Sequence, residues 1–495
     1  MKRNKLKRIS LAAGATALLA AVTPAAAQSV DALLDTLVNK GVITVKEAND
    51  LREKSDQDFS TAFAAKTGMP DWVTAFKING DFRGRYEGFY ANNENFVDQN
   101  RWRYRARIGF TAVMKDNFEV GIKLGSGNID GANGISAGVD PISNNQTLQN
   151  NASKKGIFID QAYAKWTPLT TPDMNGSLTF GKMQSPLTFT PLVFDNDYTP
   201  EGGAIQLGYN LSSQHSLTFV SGAFILDNNA STSQNPFMFN NQVLLNSTWS
   251  PKLSTSLGTA FLWIDHANQL GSGAVPNINY GNSRDLVLAP INGILPPKYA
   301  FNPFVLDASA TYSLASFPMY PGAFPITVAG EGVVNPAVPG SDKVGGLWNG
   351  TSFGGSTVTD PGKYAYSAGI TFGKAGKKGT WEVSYTWRYL GANAWYEELT
   401  DSDFGSYVQY ANPAYAAVAG GVTPNPGAKI GAHGYASGTN NKGSILKFAY
   451  SPYDMLTLSA TWFRTSVINE QLIAMPGFNW DSTMNRLQID AMLKF

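Results

Sequence analysis

Two stretches near the start of the chain read Phe76-Lys-Ile-Asn-Gly-Asp-Phe-Arg-Gly-Arg-Tyr-Glu-Gly-Phe-Tyr90 and Arg101-Trp-Arg-Tyr-Arg-Ala-Arg-Ile-Gly-Phe110. Charged or polar residues alternate with apolar residues in both. Because successive side chains of a β-strand point to opposite faces, each stretch predicts a strand with one charged face and one aromatic-rich face. A soluble sheet would bury its apolar face in a core. A densely charged face behind an aromatic one instead favours a wall between lipid and water.

The composition agrees with a membrane barrel. A soluble chain of 495 residues would hold roughly three domains, but here only 15% of the residues are charged, 12% are aromatic and 49 are glycine. The mature sequence offers no helical stretch of about 20 apolar residues. In lipid every backbone polar group must be paired within the protein, and strands achieve this only in a closed barrel.

Cysteine and charge exclude several classes of site. The chain has no cysteine, so it has no disulfide framework and no thiolate metal site, as expected of an exported protein. The formal charge of +1 includes five basic residues of the export segment, Lys2, Arg3, Lys5, Lys7 and Arg8. Without these five, the chain has 33 basic and 37 acidic residues, a formal net charge of about −4. This balance predicts no nucleic-acid partner.

The N-terminus predicts export. Residues 1–27 have a basic start, an apolar Leu11–Val22 core and a small-residue end at Ala25-Ala26-Ala27, as in a cleaved signal peptide. Residues 28–70 predict a periplasmic helical segment. Its signs are leucines at helical spacing and a Thr44-Val-Lys-Glu47 capping box. Two interpretations remain open for this segment, a simple spacer and a self-association or cell-wall contact module.

The rest of the chain, 71–495, predicts an all-β fold, a transmembrane antiparallel β-barrel of sixteen strands. The candidate strands are about 76–90, 100–114, 117–126, 157–167, 176–183, 202–210, 215–226, 239–249, 253–266, 303–314, 323–334, 363–373, 379–391, 443–451, 454–467 and 485–495. Short and long connections alternate between them, as periplasmic turns and outer loops do, and an even strand number leaves both termini inside. The long connections 267–302 and 392–442 could each contain a further hairpin, so eighteen strands is the alternative.

The sequence resembles bacterial outer-membrane porins, and more narrowly the "putative porin" family of large barrels preceded by a short helical region. The resemblance rests on the two opening stretches, on Phe194–Gly203, on Asp401–Gly405 and on the closing Leu487–Phe495. It implies that Phe495 is the signal read by the barrel-assembly machinery. It also implies a homotrimer.

In porins the third outer loop narrows the lumen, and 184–201 corresponds to it here. The resemblance implies that the acids of this loop face an arginine ladder across a constriction, where rings of charge set ion preference. The residues assigned to this constriction are Arg83, Arg85, Arg101, Arg103, Arg105, Arg107, Asp195, Asp197 and Glu201. The alternatives are that the acids only tie the loop to the wall and that the arginines stiffen the wall. The chain departs from the porin pattern in its long loops rich in glycine, asparagine and proline, which could plug the lumen.

No catalytic, cofactor or metal motif stands out. The three histidines, His215, His266 and His433, show no nucleophile or zinc spacing. The acids around Asp401 lack the ligand spacing of a calcium loop and predict a solvated loop.

We therefore expect a non-enzymatic porin in the outer membrane, in contact with lipid and passing small hydrophilic solutes or ions. A substrate-selective channel is the nearest alternative. A closed barrel acting as a surface adhesin or envelope tether is the alternative from another class.

Overall fold

The structure, a computed structural model, describes residues 47, 51, 70–92, 96, 98–128, 142–228, 233–270, 281–283, 285, 296–348, 351–407, 435–469 and 483–495. The predicted signal peptide lies outside these residues. So does most of the predicted helical segment, of which only Glu47 and Leu51, both with helical backbone, and residue 70 are described. The chain divides into two compact units, Met1–Thr74 and Ala75–Phe495.

Strands dominate the described residues. In chain order they are β1 (Val73–Ala91), β2 (Gln99–Met114), β3 (Phe118–Gly127), β4 (Gln146–Thr147), β5 (Gly156–Thr170), β6 (Met174–Lys182), β7 (Glu201–Asn210), β8 (His215–Ile225), β9 (Phe237–Ser250), β10 (Leu253–Asp265), β11 (Phe304–Leu314), β12 (Phe324–Val334), β13 (Ser341–Trp348), β14 (Thr351–Thr359), β15 (Tyr364–Gly373), β16 (Trp381–Leu390), β17 (Gly405–Tyr407), β18 (Tyr435–Ser437), β19 (Asn441–Tyr453), β20 (Leu456–Val467) and β21 (Met484–Lys494). Three 3₁₀ turns cover Lys115–Asn117, Ala267–Gln269 and Glu397–Leu399.

Sixteen of these strands close into an antiparallel barrel; the exceptions are β4, β13, β14, β17 and β18. Each barrel strand pairs with its neighbours along the chain, and β1 pairs with both β2 and β21, which closes the ring. The predicted barrel of sixteen strands is confirmed. The alternative of eighteen is wrong, because the ring closes with sixteen strands. The strands β17 and β18, within the 392–442 connection, pair with each other in a small separate sheet, and so do β13 and β14 in the 335–363 connection.

The connections alternate in length, as predicted. One end of the barrel has the short links 115–117, 171–173, 211–214, 251–252, 315–323, 374–380 and 454–455. The other end has the connections 92–98, 128–155, 183–200, 226–236, 266–303, 335–363, 391–440 and 468–483. None of the described helices is both long and apolar enough to span a bilayer.

The two faces of the wall follow the alternation of the sequence. On β1 and β2 the outward side chains Phe82 and Trp102 are 45% and 60% exposed, whereas the inward Arg83 is 7% exposed. Outward aromatic rings of neighbouring strands also meet. Phe118 stacks on Trp166 with ring centroids 5.5 Å apart. Such cross-strand pairs stabilise the sheet and leave an apolar surface for lipid.

The last residue closes the ring against β1. The Gly80 amide donates to the Phe495 carbonyl at 2.8 Å, and the Phe495 amide donates to the Gly80 carbonyl at 3.1 Å. A Cβ at Gly80 would lie 2.4 Å from the Arg107 carbonyl oxygen and 2.5 Å from the Phe495 ring. The position therefore needs glycine, since both neighbouring chain segments approach it closely.

We expect Gly80→Ala to destabilise the closed barrel by about 1–3 kcal/mol, because the backbone oxygen of Arg107 cannot move away without breaking the β1–β2 ladder. Heat-modifiable mobility on a denaturing gel, with the fraction of folded barrel measured after refolding, checks this. Gly84→Ala is the matched control on the same face of β1, where a Cβ meets nothing within 4 Å. Equal loss of folded barrel in the two variants would contradict the explanation.

Candidate functional site

Seven arginines lie on one inner surface of the barrel, which we call the arginine wall. It comprises Arg83, Arg85, Arg101, Arg103, Arg105, Arg107 and Arg486. The first six are those predicted from the sequence, on β1 and β2, and Arg486 comes from β21. Alternation along three adjacent strands places every one of them on the inner face. Arg486 was missed as a site residue, although its parity with Gln488 on the last strand was visible in the sequence.

Strand carboxylates pair with this wall. Glu87 of β1 lies 2.6 Å from the Arg486 guanidinium, contacts Arg101 and is 3.7 Å from Arg103. Arg85 forms a two-pronged contact with Asp490 of β21, at 2.7 and 2.8 Å. Such bidentate pairs fix the planes of the guanidinium groups and stiffen the wall.

Two loops add carboxylates from the lumen side. Asp197, in the 183–200 connection, accepts from Arg105 at 2.8 Å and from Arg107 at 3.0 Å. Asp81 of β1 accepts from the same two arginines, at 2.9 and 2.8 Å. Asp403, in the 391–440 connection, accepts from Arg486 at 2.6 Å and from Arg85 at 3.2 Å. Of the acids predicted in the loop 184–201, Asp197 is the one that the structure places against the arginines of β2.

The other two predicted acids lie elsewhere. Asp195 joins the two loops, because its carboxylate accepts from the backbone amides of Asp197 and Ser402, both at 2.9 Å. Glu201 has the parity of the outward-facing Ile205 on β7, pairs with Lys182 at 3.1 Å and has a side chain 63% exposed. It lies outside the arginine wall, because β7 begins at Glu201 and the strand alternation turns this side chain away from the lumen.

The 183–200 connection is anchored across the barrel as well. Gln242 of β9 accepts from the Thr188 amide at 2.9 Å and donates to its carbonyl at 2.6 Å. Glu331 of β12 accepts from the Thr190 amide at 3.1 Å and also from its hydroxyl. The loop thus bridges the lumen from the arginine wall to the opposite wall.

An apolar cluster, which we call the loop core, fills the space between these loops and the far wall. The loops contribute Leu192, Val193, Phe194, Tyr198, Phe301, Trp395, Tyr396 and Leu399 among others, and the strands contribute Val220, Phe224, Met238, Leu262, Ile264, Val305 and Leu390. Burial of these side chains stabilises the folded-in position of the loops. Parts of the 183–200, 266–303 and 391–440 connections are therefore packed against the inner face of the barrel.

The acidic stretch near Asp401 is not a solvated loop, contrary to the prediction. Glu397 and Glu398 are 2% and 4% exposed. Glu397 accepts from the amide of Asn282, in the 266–303 connection, at 2.6 Å, and Asp401 accepts from Arg388 at 2.6 Å. Buried amide and guanidinium donors replace water around these acids.

Comparison with known families decides the resemblance. Residues 92–272 match the family described as "putative porin". The predicted likeness to porins is confirmed. The family match and the closed barrel together support a porin-type channel of the outer membrane. No curated protein matches the chain.

Several solved structures are similar to this barrel. OprB of Pseudomonas putida, in a high-pH structure, is 8% identical with a TM-score of 0.46, over 87% of this chain and 96% of that chain. OmpF of Salmonella typhi, in complex with daunomycin, is 9% identical with a TM-score of 0.42, over 85% and 97%. A loop-deletion variant of OmpT, an outer-membrane protein of Vibrio cholerae, is 9% identical with a TM-score of 0.40, over 85% and 99%.

The loop carboxyl groups of this barrel differ in acidity. Burial, together with repulsion from Asp401 and Asp197, raises the pKa of Asp195 to about 8. Burial also raises the pKa of Asp403, but attraction to Arg486 and Arg85 outweighs it and holds the pKa below its usual range. Asp195 therefore keeps its proton near neutral pH, whereas Asp403 stays ionised on the wall.

We expect the contact between the two loops to weaken as the pH rises. The docked loop binds the proton of Asp195 more tightly than a released loop does, because in a released loop the pKa of this carboxyl group is near its ordinary value of 3.8. Docking is therefore strongest below about pH 4 and loses stability up to about pH 8, where the docked form also ionises.

Maleimide labelling of single cysteines checks this, because the native chain has none. Val193→Cys reports release, since Val193 is 1% exposed, and Asn196→Cys, at an exposed position, corrects for thiol ionisation. The ratio of the two labelling rates should rise by about tenfold per pH unit between pH 5 and 8 and level off above pH 8. Asp195→Asn should flatten the profile. A flat profile without this substitution would contradict the assignment.

Proposed function

We propose that the protein is a passive diffusion channel of the outer membrane for small hydrophilic solutes and ions, with no chemical step. The observation that carries this proposal is a closed sixteen-stranded barrel with an apolar outer face and a charged inner wall. A barrel of this strand number has room for an aqueous passage beside folded-in loops.

The inner face opposite the arginine wall supports the same function where it lies beyond the loop core. Strands β10 to β12 carry small polar side chains there, and the hydroxyl groups of Thr311 and Thr327 are hydrogen-bonded at 2.8 Å. Hydroxyl-lined surfaces are compatible with water in a lumen, whereas a lipid-facing surface would exclude them. Arginines and loop acids on one side and hydroxyl groups on the other would give solutes a polar path.

The arrangement in the cell belongs to the same proposal. Residues 1–27 would direct export, 28–70 would lie in the periplasm, and 71–495 would span the outer membrane. Phe495 would serve the barrel-assembly machinery, and this residue is 68% exposed. The assembly would be a homotrimer surrounded by lipid.

A second candidate is favoured by the covering of the arginine wall. Arg85, Arg105 and Arg486 are only 5%, 4% and 2% exposed, because loop acids and, over Arg486, the Tyr435 ring lie against the wall. A barrel closed in this way would act through its outer loops, as a surface adhesin or an envelope tether. The two candidates differ in whether ions pass.

Single-channel recording of the refolded mature protein in a planar bilayer separates them. A channel should give stepwise, long-lived openings whose size grows with salt concentration. An inserted, folded barrel that stays electrically silent over the voltage range would reject the diffusion channel and leave the closed barrel.

Asp197 gives a residue-level prediction. Asp197→Asn removes one negative charge from the arginine wall and should raise the anion-to-cation permeability ratio several-fold, because two guanidinium groups lose a shared counter-charge. Reversal potentials in a salt gradient measure the ratio. Glu201→Gln is the control, since it removes the same charge on the outward face. Similar shifts in both variants would show that Asp197 does not face the passage.

A further inference from the structure

Arg83 differs from the rest of the arginine wall. Each of the other six arginines lies within 4 Å of at least one carboxylate. Arg83 is 7% exposed and makes one hydrogen bond within the described chain, from Nη2 to the Asn145 side-chain oxygen at 2.7 Å. Its Nε is buried and has no acceptor among the residues that the structure describes. A guanidinium group that is nine-tenths buried thus forms no ion pair within 4 Å among the described residues, and Asp490 and Asp197 act on it only from longer range.

The number of charged groups on the arginine wall also singles out Arg83. Seven guanidinium groups face five paired carboxylates among the described residues: Asp81, Glu87, Asp197, Asp403 and Asp490. The wall therefore carries a surplus of two positive charges, and Arg83 has no share in the ion pairs. An uncompensated buried charge is costly, whereas a paired one is tolerated. A mobile anion in the lumen would remove this cost.

Asn145 holds the side chains of Arg83 and Arg103 next to each other on the wall. Residues 146–147 of the same connection pair with β2, which brings Asn145 against the wall. The side-chain nitrogen of Asn145 donates to the Ser143 hydroxyl at 3.0 Å, so the side-chain oxygen is turned towards Arg83. The backbone carbonyl of Asn145 accepts from Arg103 at 3.0 Å. One neutral residue thus holds two guanidinium groups without cancelling either charge. An aspartate at this position would have formed one more ion pair.

We infer that Arg83 and Arg103, held by Asn145, form a binding site for a small oxyanion, a carboxylate or phosphate group carried by a solute in the lumen. The planar guanidinium fork matches the oxygens of such groups better than it matches a spherical chloride ion. The inference names the solute class of the proposed channel and rests on that function for its role in transport. Binding itself requires only the folded barrel.

Conductance against concentration tests the site, with potassium acetate and potassium phosphate as separate probes and potassium chloride as the reference. The wild-type current should saturate with at least one oxyanion. Arg83→Gln should raise the half-saturating concentration about tenfold, the loss expected for one charge-assisted hydrogen bond. Saturation by acetate alone would identify a carboxylate site, and saturation by phosphate alone a phosphate site.

Three further variants sharpen the test. Asn145→Asp keeps the arginine but supplies a fixed counter-charge, so it should weaken oxyanion binding as Arg83→Gln does. Arg83→Lys keeps the charge without the fork and should bind at an intermediate level. Lys123→Gln is the matched control, since Lys123 is an inward cation of the neighbouring strand already 3.8 Å from Asp160. It should leave the half-saturating concentration unchanged.

Thermal unfolding of the barrel in detergent, with and without phosphate or acetate, separates the site from the channel. Oxyanion-dependent stabilisation that disappears in Arg83→Gln and Asn145→Asp would support the site even if the barrel conducts no current. An open channel with linear conductance and no stabilisation by either anion would overturn the site and leave the channel standing. Equal effects of Lys123→Gln and Arg83→Gln would also overturn it, because only bulk charge would then matter.

Discussion

In a bilayer the backbone amides of a strand have no water to bind, so each must find a partner within the protein. This constraint requires the barrel to close, and closure depends on how its first strand, β1, meets its last strand, β21. The pairing of Gly80 with Phe495 is the last such contact along the β1–β21 ladder. It works because glycine lets the backbone of β2 and the terminal ring approach together. Once the ring is closed, the period of two assigns every side chain to lipid or to lumen.

The lumen then presents a second constraint, because a surface of seven arginines cannot stay uncompensated. Strand acids such as Glu87 neutralise part of it, and the loops supply the rest through Asp197 and Asp403. Loop docking and wall neutralisation are therefore the same event. The loop core adds apolar burial, which does not depend on salt, to ion pairs that do. A loop held by both kinds of contact can weaken at its charged end while its apolar end stays anchored.

The strands were predictable because lipid and water impose opposite demands on alternate residues. This holds for β1, β2 and β21, where a charged face opposes an aromatic one. On β8 to β10 the inward residues Val220, Met238 and Leu262 are apolar, because the loop core covers them. Around these positions both faces of the strands carry apolar side chains, so alternation there does not show which face meets the lumen. The loop core joins residues far apart in the chain, so no local pattern predicts it.

At the candidate site, too, the residues on strands could be predicted from the sequence and the residues on loops could not. The arginines of β1 and β2 could be found from parity alone, and Arg486 could have been found in the same way. Parity also excludes Glu201, since β7 begins at that residue and its side chain points outward. The loop acids are different, because their positions depend on how each loop returns into the barrel. Asp195 and Asp197 are two residues apart, yet one joins two loops and the other meets the wall.

Asn145 shows how a neutral residue can control a charged surface. Its connection returns to pair with β2, so the amide occupies a place on the wall where a carboxylate would have balanced Arg83. The strand pattern determines where cations stand, but the loops determine which of them keep an unbalanced charge. In a narrow aqueous passage that unbalanced charge acts on a passing ion at short range, where screening by salt is weakest. If the loops neutralise most of the arginine wall but leave Arg83 without an ion pair, the ion selectivity of the passage would depend mainly on that one residue.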